Sequence, residues 1–226
     1  MAAFGGFWPR WRQALGVAAY RGVLCFGPSR GRKVAYASPS RWLPDLALPD
    51  AEEAQLALLR AYLTAYGPAT PDHLARWLAT TPTWTRGLFA RADLDEVELE
   101  GEPAGVWHGD TTFDTAPAPA VRLLPYFDAF QVGSQPRGLL FPGRAAERAL
   151  ARTQAGNFPV LLLDGVVGGV WHQKRSGATV AVTVEPLRRL SATQRTALEV
   201  EVERLGEIVE ARPDLTVGTV TVGPHA

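Results

Sequence analysis

The chain has 226 residues, 46% of them hydrophobic, which is enough for a substantial core in one large domain or two smaller ones. Its single cysteine, Cys25, excludes an internal disulfide and a cysteine-based zinc cluster, and is typical of a reducing compartment. The longest stretch without a charged side chain, residues 215–226, is far shorter than a membrane-spanning helix, and no signal peptide is expected. We therefore expect a cytoplasmic protein.

The formal charge is zero, with 23 basic and 23 acidic side chains, but the charges are unevenly distributed. Residues 1–44 contain seven basic and no acidic side chains, whereas residues 45–102 contain eleven acidic side chains and four arginines. A basic block of this kind predicts contact with phosphate groups. It equally fits a block that pairs with the acidic segment of its own chain, and charge alone leaves both interpretations open.

The first predicted element is a helix over residues 11–20, where apolar side chains recur at helical spacing. Strand-like runs at 22–26 and 33–37 follow, separated by a basic loop at 27–32. This order is that of the latter half of a winged helix, whose helix enters the major groove while its loop, the wing, contacts the backbone. We predict a partial winged helix over residues 1–48. Its predicted phosphate contacts are Arg10, Arg12, Arg21, Arg30, Arg32 and Lys33.

A complete winged helix is predicted over residues 49–110. Its predicted elements are three helices and a hairpin, at 52–66, 71–78, 83–91, 97–100 and 104–108. Thr70 is the expected N-cap of the second helix, with Pro71 at its first position. The hairpin loop is acidic and would repel phosphate, so this domain is interpreted as a scaffold and not as a groove reader.

The remaining domain, residues 121–226, is predicted to contain an antiparallel β-meander and a long terminal helix. Asp-Gly at 164 and Ser-Gly at 176 lie between β-branched runs and indicate hairpin turns. Ser191 and Gln194 form a capping box that starts a helix running to about residue 211, and a last strand is expected at 215–222. The fold class is therefore α+β.

Two groups of residues in this last domain are candidate functional residues. Asp128 follows Leu-Pro-Tyr-Phe, where desolvation could raise the pKa of its carboxyl as a general base requires, or the side chain could simply cap a turn. Trp171 precedes Lys174 and Arg175 at the end of a hairpin, a combination suited to stacking and phosphate contact. The alternative is that Trp171 belongs to the core.

Other catalytic patterns are not found in the sequence. The four histidines are scattered with no second ligand at metal spacing, which predicts no zinc site. The glycines at 165, 168 and 169 precede a strand and not a helix, so they do not form a dinucleotide-binding loop. No Walker-type loop or serine nucleophile motif is present. We expect no cofactor.

Several blocks together resemble bacterial winged-helix proteins of the AlkZ/YcaQ DNA glycosylase superfamily, over residues 11–205. The blocks that carry the resemblance are Leu15–Pro28 with Arg30-Gly-Arg32, Trp42-Leu-Pro44, Tyr66–Pro71, Leu123–Asp128 and Val167–Trp171. The resemblance implies tandem winged helices and hydrolysis of the N-glycosidic bond of damaged bases. It also implies a catalytic signature, a glutamine followed two positions later by glutamine or aspartate, which none of the seven glutamines here begins. Relative to the family, we expect the chain to open inside the second winged helix.

These observations lead to one hypothesis and two alternatives. The leading hypothesis is a nucleoid-associated protein that binds double-stranded DNA and is related to base-excision glycosylases, without their catalytic motif. The first alternative is an active glycosylase that uses Asp128. The second is a protein-interaction module built on the basic block.

Overall fold

The structure, a computed structural model, describes residues 2–3, 6–7, 10–112, 116–151 and 153–224. It divides into two compact units, residues 1–55 and 56–226. The division falls within one helix, Ala51–Tyr66, and each unit is described by itself.

In its described residues, the first unit contains a helix, two small antiparallel pairs of strands and the start of a second helix. Its elements are β1 (Ala2–Ala3), β2 (Gly6–Phe7), α1 (Trp11–Tyr20), β3 (Cys25–Arg30), β4 (Lys33–Ala37), a 3₁₀ turn (Pro39–Arg41) and the start of α2 (Ala51–Tyr66). The predicted helix at 11–20 is confirmed. The predicted basic loop is shorter than expected, because β3 continues to Arg30 and only Gly31 and Arg32 form the turn. None of the described residues 10–55 is fully buried, so this unit has no closed core of its own.

The second unit opens with three helices and a hairpin that enclose a small apolar core. The elements are α2, α3 (Pro71–Leu78), α4 (Pro82–Phe89), β5 (Leu94–Leu99) and β6 (Glu102–Trp107). Leu59, Leu74 and Leu88 are completely buried between the helices. Thr70 caps α3 as predicted, and His73 completes a capping box by accepting a hydrogen bond from the Thr70 backbone N–H.

A five-stranded sheet forms the rest of the second unit. Its strands are β7 (Val121–Leu124), β8 (Val160–Leu163), β9 (Val166–Ser176), β10 (Thr179–Pro186) and β11 (Arg212–Val217). The helices are α5 (Ala129–Gly133), α6 (Arg137–Leu140), α7 (Arg144–Ala149) and α8 (Ala192–Ile208). The spatial order is β11-β10-β9-β8-β7. The fold is mixed α and β, with a five-stranded sheet and a C-terminal helix.

Both faces of the sheet are buried. Along β8, Val160 and Leu162 pack into one apolar cluster with Phe141, while Leu161 and Leu163 pack into another that α8 covers. Successive residues of a strand point to opposite faces, so the unbroken run Val-Leu-Leu-Leu is the pattern expected of a strand covered on both sides.

Strands β8, β9 and β10 form the predicted antiparallel meander, whereas the last strand, predicted at 215–222, lies at Arg212–Val217. Strands β7 to β10 are antiparallel neighbours, but β11 pairs with β10 in parallel and begins at Arg212, three residues before the predicted start. The reason is that α8 returns the chain to the end of the sheet from which β10 started, as a helical crossover must for parallel neighbours. The tandem winged-helix interpretation and the domain bounds at 48, 110 and 121 remain predictions.

Candidate nucleic-acid interface

Three predicted phosphate contacts lie together at the tip of one hairpin. We call β3, β4 and their turn the basic hairpin. Arg30 pairs with Lys33 across the ladder, and the turn between them consists of Gly31 and Arg32. Gly31 has a φ of 61°, the left-handed conformation that glycine adopts most easily, and this sharp reversal brings the three cations to one end. All three side chains are exposed.

The other predicted contacts lie at the two ends of α1. Arg10 occupies the N-cap position and Arg21 the C-cap position, and the guanidinium of Arg12 lies over the Trp11 ring, 5.7 Å from its centroid. Arg10 and Arg21 are exposed. Within the residues that the structure describes, neither they nor the three tip residues form an ion pair.

Exposed aromatic side chains lie on the basic hairpin. The Phe26 and Tyr36 rings stack with centroids 5.4 Å apart and are 74% and 44% exposed. The neighbouring Val34 is 62% exposed. Cations at the tip and aromatic rings along the strands are the residue types that contact nucleic-acid backbone and bases.

The second hairpin, β5 and β6, carries the opposite charge. Glu96, Glu98, Glu100 and Glu102 lie on it or in its turn. At its base His108 forms a 3.0 Å ion pair with Asp95, which raises the pKa of the imidazole. A hydrogen bond from the Gly109 N–H, together with His108, lowers the pKa of the Asp95 carboxyl.

Asp128 has a capping role, which the sequence analysis gave as the alternative to a general base. It is the N-cap of α5, where its Oδ1 accepts a hydrogen bond from the Phe130 backbone N–H at 2.9 Å. The side chain is only partly buried. Its catalytic role remains a prediction.

The candidate residues Trp171, Lys174 and Arg175 have different structural roles. Trp171 is 3% exposed, lies in the core, and donates from Nε1 to the Leu124 carbonyl at 2.9 Å, so its proposed stacking role is wrong. Arg175 donates to the carbonyls of Val209 and Glu210, where α8 ends. Lys174 is exposed on β9. Residues 169–171 of β9 are buried on both faces of the sheet, whereas residues 173–176, at the end of the strand, are exposed on both.

Sequence reasoning missed two surface features, a cavity lined by arginines and a loop with an exposed phenylalanine. A cavity of about 700 Å³ at the start of α8 is lined by Arg188, Arg189 and Arg195, which the sequence separates by up to seven positions. The segment Pro125–Phe130, which we call the aromatic loop, exposes Phe127 in a left-handed backbone conformation. The Leu-Pro-Tyr-Phe-Asp motif indicated a turn, but residue preferences do not predict phenylalanine at positive φ.

The described residues were also searched for a metal site and for a membrane-spanning helix. Among them, no group of three histidine, cysteine or acidic side chains is arranged to hold a metal ion. Nor does any helix in the described part have the length and apolar character needed to cross a membrane.

Comparison with known proteins identifies related sequences and structures. The profile of the DNA glycosylase AlkZ-like family matches residues 5–208. An interstrand DNA cross-link repair glycosylase from Streptomyces sahachiroi is 36% identical over 171 residues, which are 72% of this chain and 46% of that protein. The solved structure of Streptomyces sahachiroi DNA glycosylase AlkZ superposes with a TM-score of 0.75 at 31% identity, over 92% of this chain and 58% of that one. The chain thus spans about half the length of these relatives.

Proposed function

We propose a function on one established premise: the chain belongs to the AlkZ-like DNA glycosylase family. The proposal is that residues 1–226 bind double-stranded DNA in the repair of damaged bases, with the basic hairpin and α1 as the main contact surface. The observation that carries it is the cluster of Arg30, Arg32 and Lys33, exposed and without ion pairs among the described residues.

The order α1, β3, β4 supports a winged-helix interpretation of the first unit. In that motif the helix lies in the major groove and the hairpin reaches the backbone or minor groove, so cations are needed at both places. Here Arg10, Arg12 and Arg21 flank the helix and the three tip residues occupy the hairpin. The acidic hairpin of β5 and β6 lacks this property, which supports a scaffold role for residues 49–110. Association with the nucleoid would follow from such binding.

We further propose that this chain contributes DNA contact and not hydrolysis. No glutamine in the sequence begins the signature that the family resemblance implies, and Asp128 is engaged in capping α5. An assay of base release from alkylated and cross-linked duplexes tests this point directly. Release by the wild-type chain that Asp128→Asn abolishes would favour the alternative of an active glycosylase.

The salt dependence of DNA affinity is the sharpest test of the proposed surface. If the six predicted cations each contact a phosphate, log K against log salt has a slope of about −5, because each contact releases a condensed counterion. Replacing Arg30, Arg32 and Lys33 together by glutamine should reduce the magnitude of that slope by about 3. Fluorescence anisotropy with a labelled duplex at 50–300 mM salt measures both values.

A matched triple variant separates a local contact from a general charge effect. Arg76→Gln, Arg144→Gln and Arg212→Gln together remove the same charge from exposed positions of the second unit. We expect this control to retain most of the wild-type slope. Equal slopes for the two triple variants would contradict the proposed surface, and an affinity independent of salt would contradict phosphate binding altogether.

A further inference from the structure

The aromatic loop presents a bulky ring on an unusual backbone. Phe127 has a φ of 54° and is 64% exposed, and Phe130, three residues later, is 47% exposed. The left-handed region is unfavourable for residues with a Cβ, and a large aromatic residue there is a genuine outlier. Such conformations persist when the surroundings impose them, and they cluster at functional sites.

Contacts on both sides of Phe127 hold this conformation. The buried Gln131 donates from Nε2 to the Pro125 carbonyl at 2.6 Å, and Asp128 caps the Phe130 N–H at 2.9 Å. The Tyr66 hydroxyl, from α2, donates to the Ala129 carbonyl at 3.0 Å. The loop is therefore anchored to the helices around it, while the Phe127 ring remains largely in contact with solvent.

The chain segment that packs against the Phe127 ring has a glycine at the point of contact. Gly156 has a φ of 94°, and a Cβ at this position would come within 2.9 Å of the Phe127 Cδ1 atom. A side chain there would displace the ring. Two positions in left-handed conformations, one on each side of the contact, thus define where Phe127 lies.

The surroundings of the ring favour nucleobases over phosphate as the contacted group. Asp128 places a carboxylate on the same loop, which repels phosphate. A cavity of about 180 Å³ adjoins the loop and is lined by Tyr126, His172 and Gln173, which offer stacking and hydrogen bonding to a base. Aromatic rings stack on bases of any sequence because every base has a π-face.

We propose that Phe127 is a wedge that enters the base stack of bound DNA and keeps one step unstacked. This inference rests on the proposed function, since it requires a DNA complex. Apolar wedges of this kind separate base steps and stabilise an unstacked nucleotide where an enzyme can reach it. The rigid left-handed backbone lets the ring enter without first being ordered.

The test uses the full chain with a duplex that contains 2-aminopurine opposite a mismatched base. This base analogue fluoresces weakly when stacked and strongly when unstacked. Wild-type protein should increase its fluorescence, and Phe127→Asn should abolish the increase and weaken affinity about fivefold or more, as expected for a lost stacking contact. Phe127→Tyr, which retains the ring, should preserve the signal.

The choice of asparagine keeps the experiment interpretable. Asparagine tolerates the left-handed region better than phenylalanine, so the thermal midpoint of Phe127→Asn should equal or exceed that of the wild type. Leu139→Asn, a substitution of another exposed apolar residue outside the loop, is the matched control and should keep the fluorescence increase.

Three results would overturn the wedge. They are an unchanged signal with Phe127→Asn, a signal lost equally with Leu139→Asn, and wild-type binding by gel shift without any fluorescence change. In the third case the proposed function would survive. Absence of wild-type binding by gel shift would instead contradict the proposed function itself.

Discussion

Tyr62 lies at the centre of an aromatic group in the second unit. Its ring is 5.7 Å from that of Tyr66 and 5.3 Å from that of Trp77, and it is 2% exposed. Its hydroxyl is buried with no hydrogen-bond partner among the described residues. Burial, and the neighbouring Tyr66, raise the pKa of Tyr62 to about 12. The hydroxyl is therefore a source of instability, whereas the ring contributes to packing.

Removing this hydroxyl should stabilise the protein. For Tyr62→Phe we expect the free energy of unfolding at pH 8 to increase by about 1 kcal/mol, because a buried unsatisfied group is eliminated. Tyr66→Phe is the matched control: it removes the hydrogen bond to the Ala129 carbonyl and should destabilise by about 1 kcal/mol. Urea denaturation measures both. A loss of stability in Tyr62→Phe would indicate that the hydroxyl has a partner in solution.

The same residue predicts a dependence of stability on alkaline pH. A tyrosine whose pKa is higher when folded keeps its proton after the unfolded chain has lost it, so stability is complete below about pH 10 and decreases as the pH rises toward 12. At pH 11 the wild type should have lost about 1 kcal/mol from this group, a loss that Tyr62→Phe does not show. The measurement is the difference in unfolding free energy between wild type and Tyr62→Phe, taken at pH 8 and again at pH 11. Because the other tyrosines are present in both proteins, their contribution cancels. A constant difference would contradict it.

At the level of elements, the return from α8 to β11 depends on close packing of the helix end against the following chain. Gly206, on the last turns of α8, packs against the chain just after the helix: a Cβ there would meet the Pro213 Cδ atom at 2.7 Å and the Ala211 carbonyl oxygen at 2.8 Å. Glycine in a helix interior normally lowers stability relative to alanine. Here the close approach explains its presence, because β11 could not otherwise begin at residue 212.

Two glycine substitutions should therefore have opposite effects. Gly206→Ala should destabilise the second unit by about 1–3 kcal/mol through overpacking, despite the better helix propensity of alanine. Gly87→Ala, in α4, meets no atom within 4 Å and should stabilise by about 0.5–1 kcal/mol. Thermal unfolding of both variants provides the comparison. Equal stabilisation in both would show that α8 and β11 separate more easily than their packing indicates.

Some of the elements could be predicted from the sequence and others could not. Local signals sufficed for α1, for the Thr70 cap and for the start of α8 at Ser191, because each depends on a few neighbouring residues. The partner and direction of β11 depend on where α8 brings the chain, which no local pattern contains. For the candidate site, the exposure of the cations followed from their charge. The left-handed Phe127 did not, since the surrounding contacts override its residue preference.

At the level of the whole molecule, the two units differ sharply in burial. All four residues of β8 are buried between the two apolar clusters of the sheet, whereas none of residues 10–55 in the first unit is fully buried. Local opening requires less free energy where few apolar contacts are broken. The basic hairpin should therefore open far more often than the sheet.

Hydrogen exchange can test this difference together with the proposed DNA contact. Amides of β8 should exchange slowest and those of β3 and β4 among the fastest, and excess duplex DNA should slow exchange in β3 and β4 because ligand binding stabilises the bound conformation. Exchange in β5 and β6, the acidic hairpin, should not change. Protection by DNA of the acidic hairpin alone would contradict the proposed interface.

The position of β11 at the edge of the sheet has a consequence for chains that are cleaved by proteases. Its outward edge carries Pro213 and is flanked by the charges of Arg212 and Asp214, features that discourage further strands from adding to a sheet. A chain cleaved within α8 would lose this strand and uncover the six residues of β10 that pair with it, three of which are valines. Such a fragment would be a template for aggregation, so proteolysis near residue 200 would produce insoluble assemblies and not merely an inactive monomer.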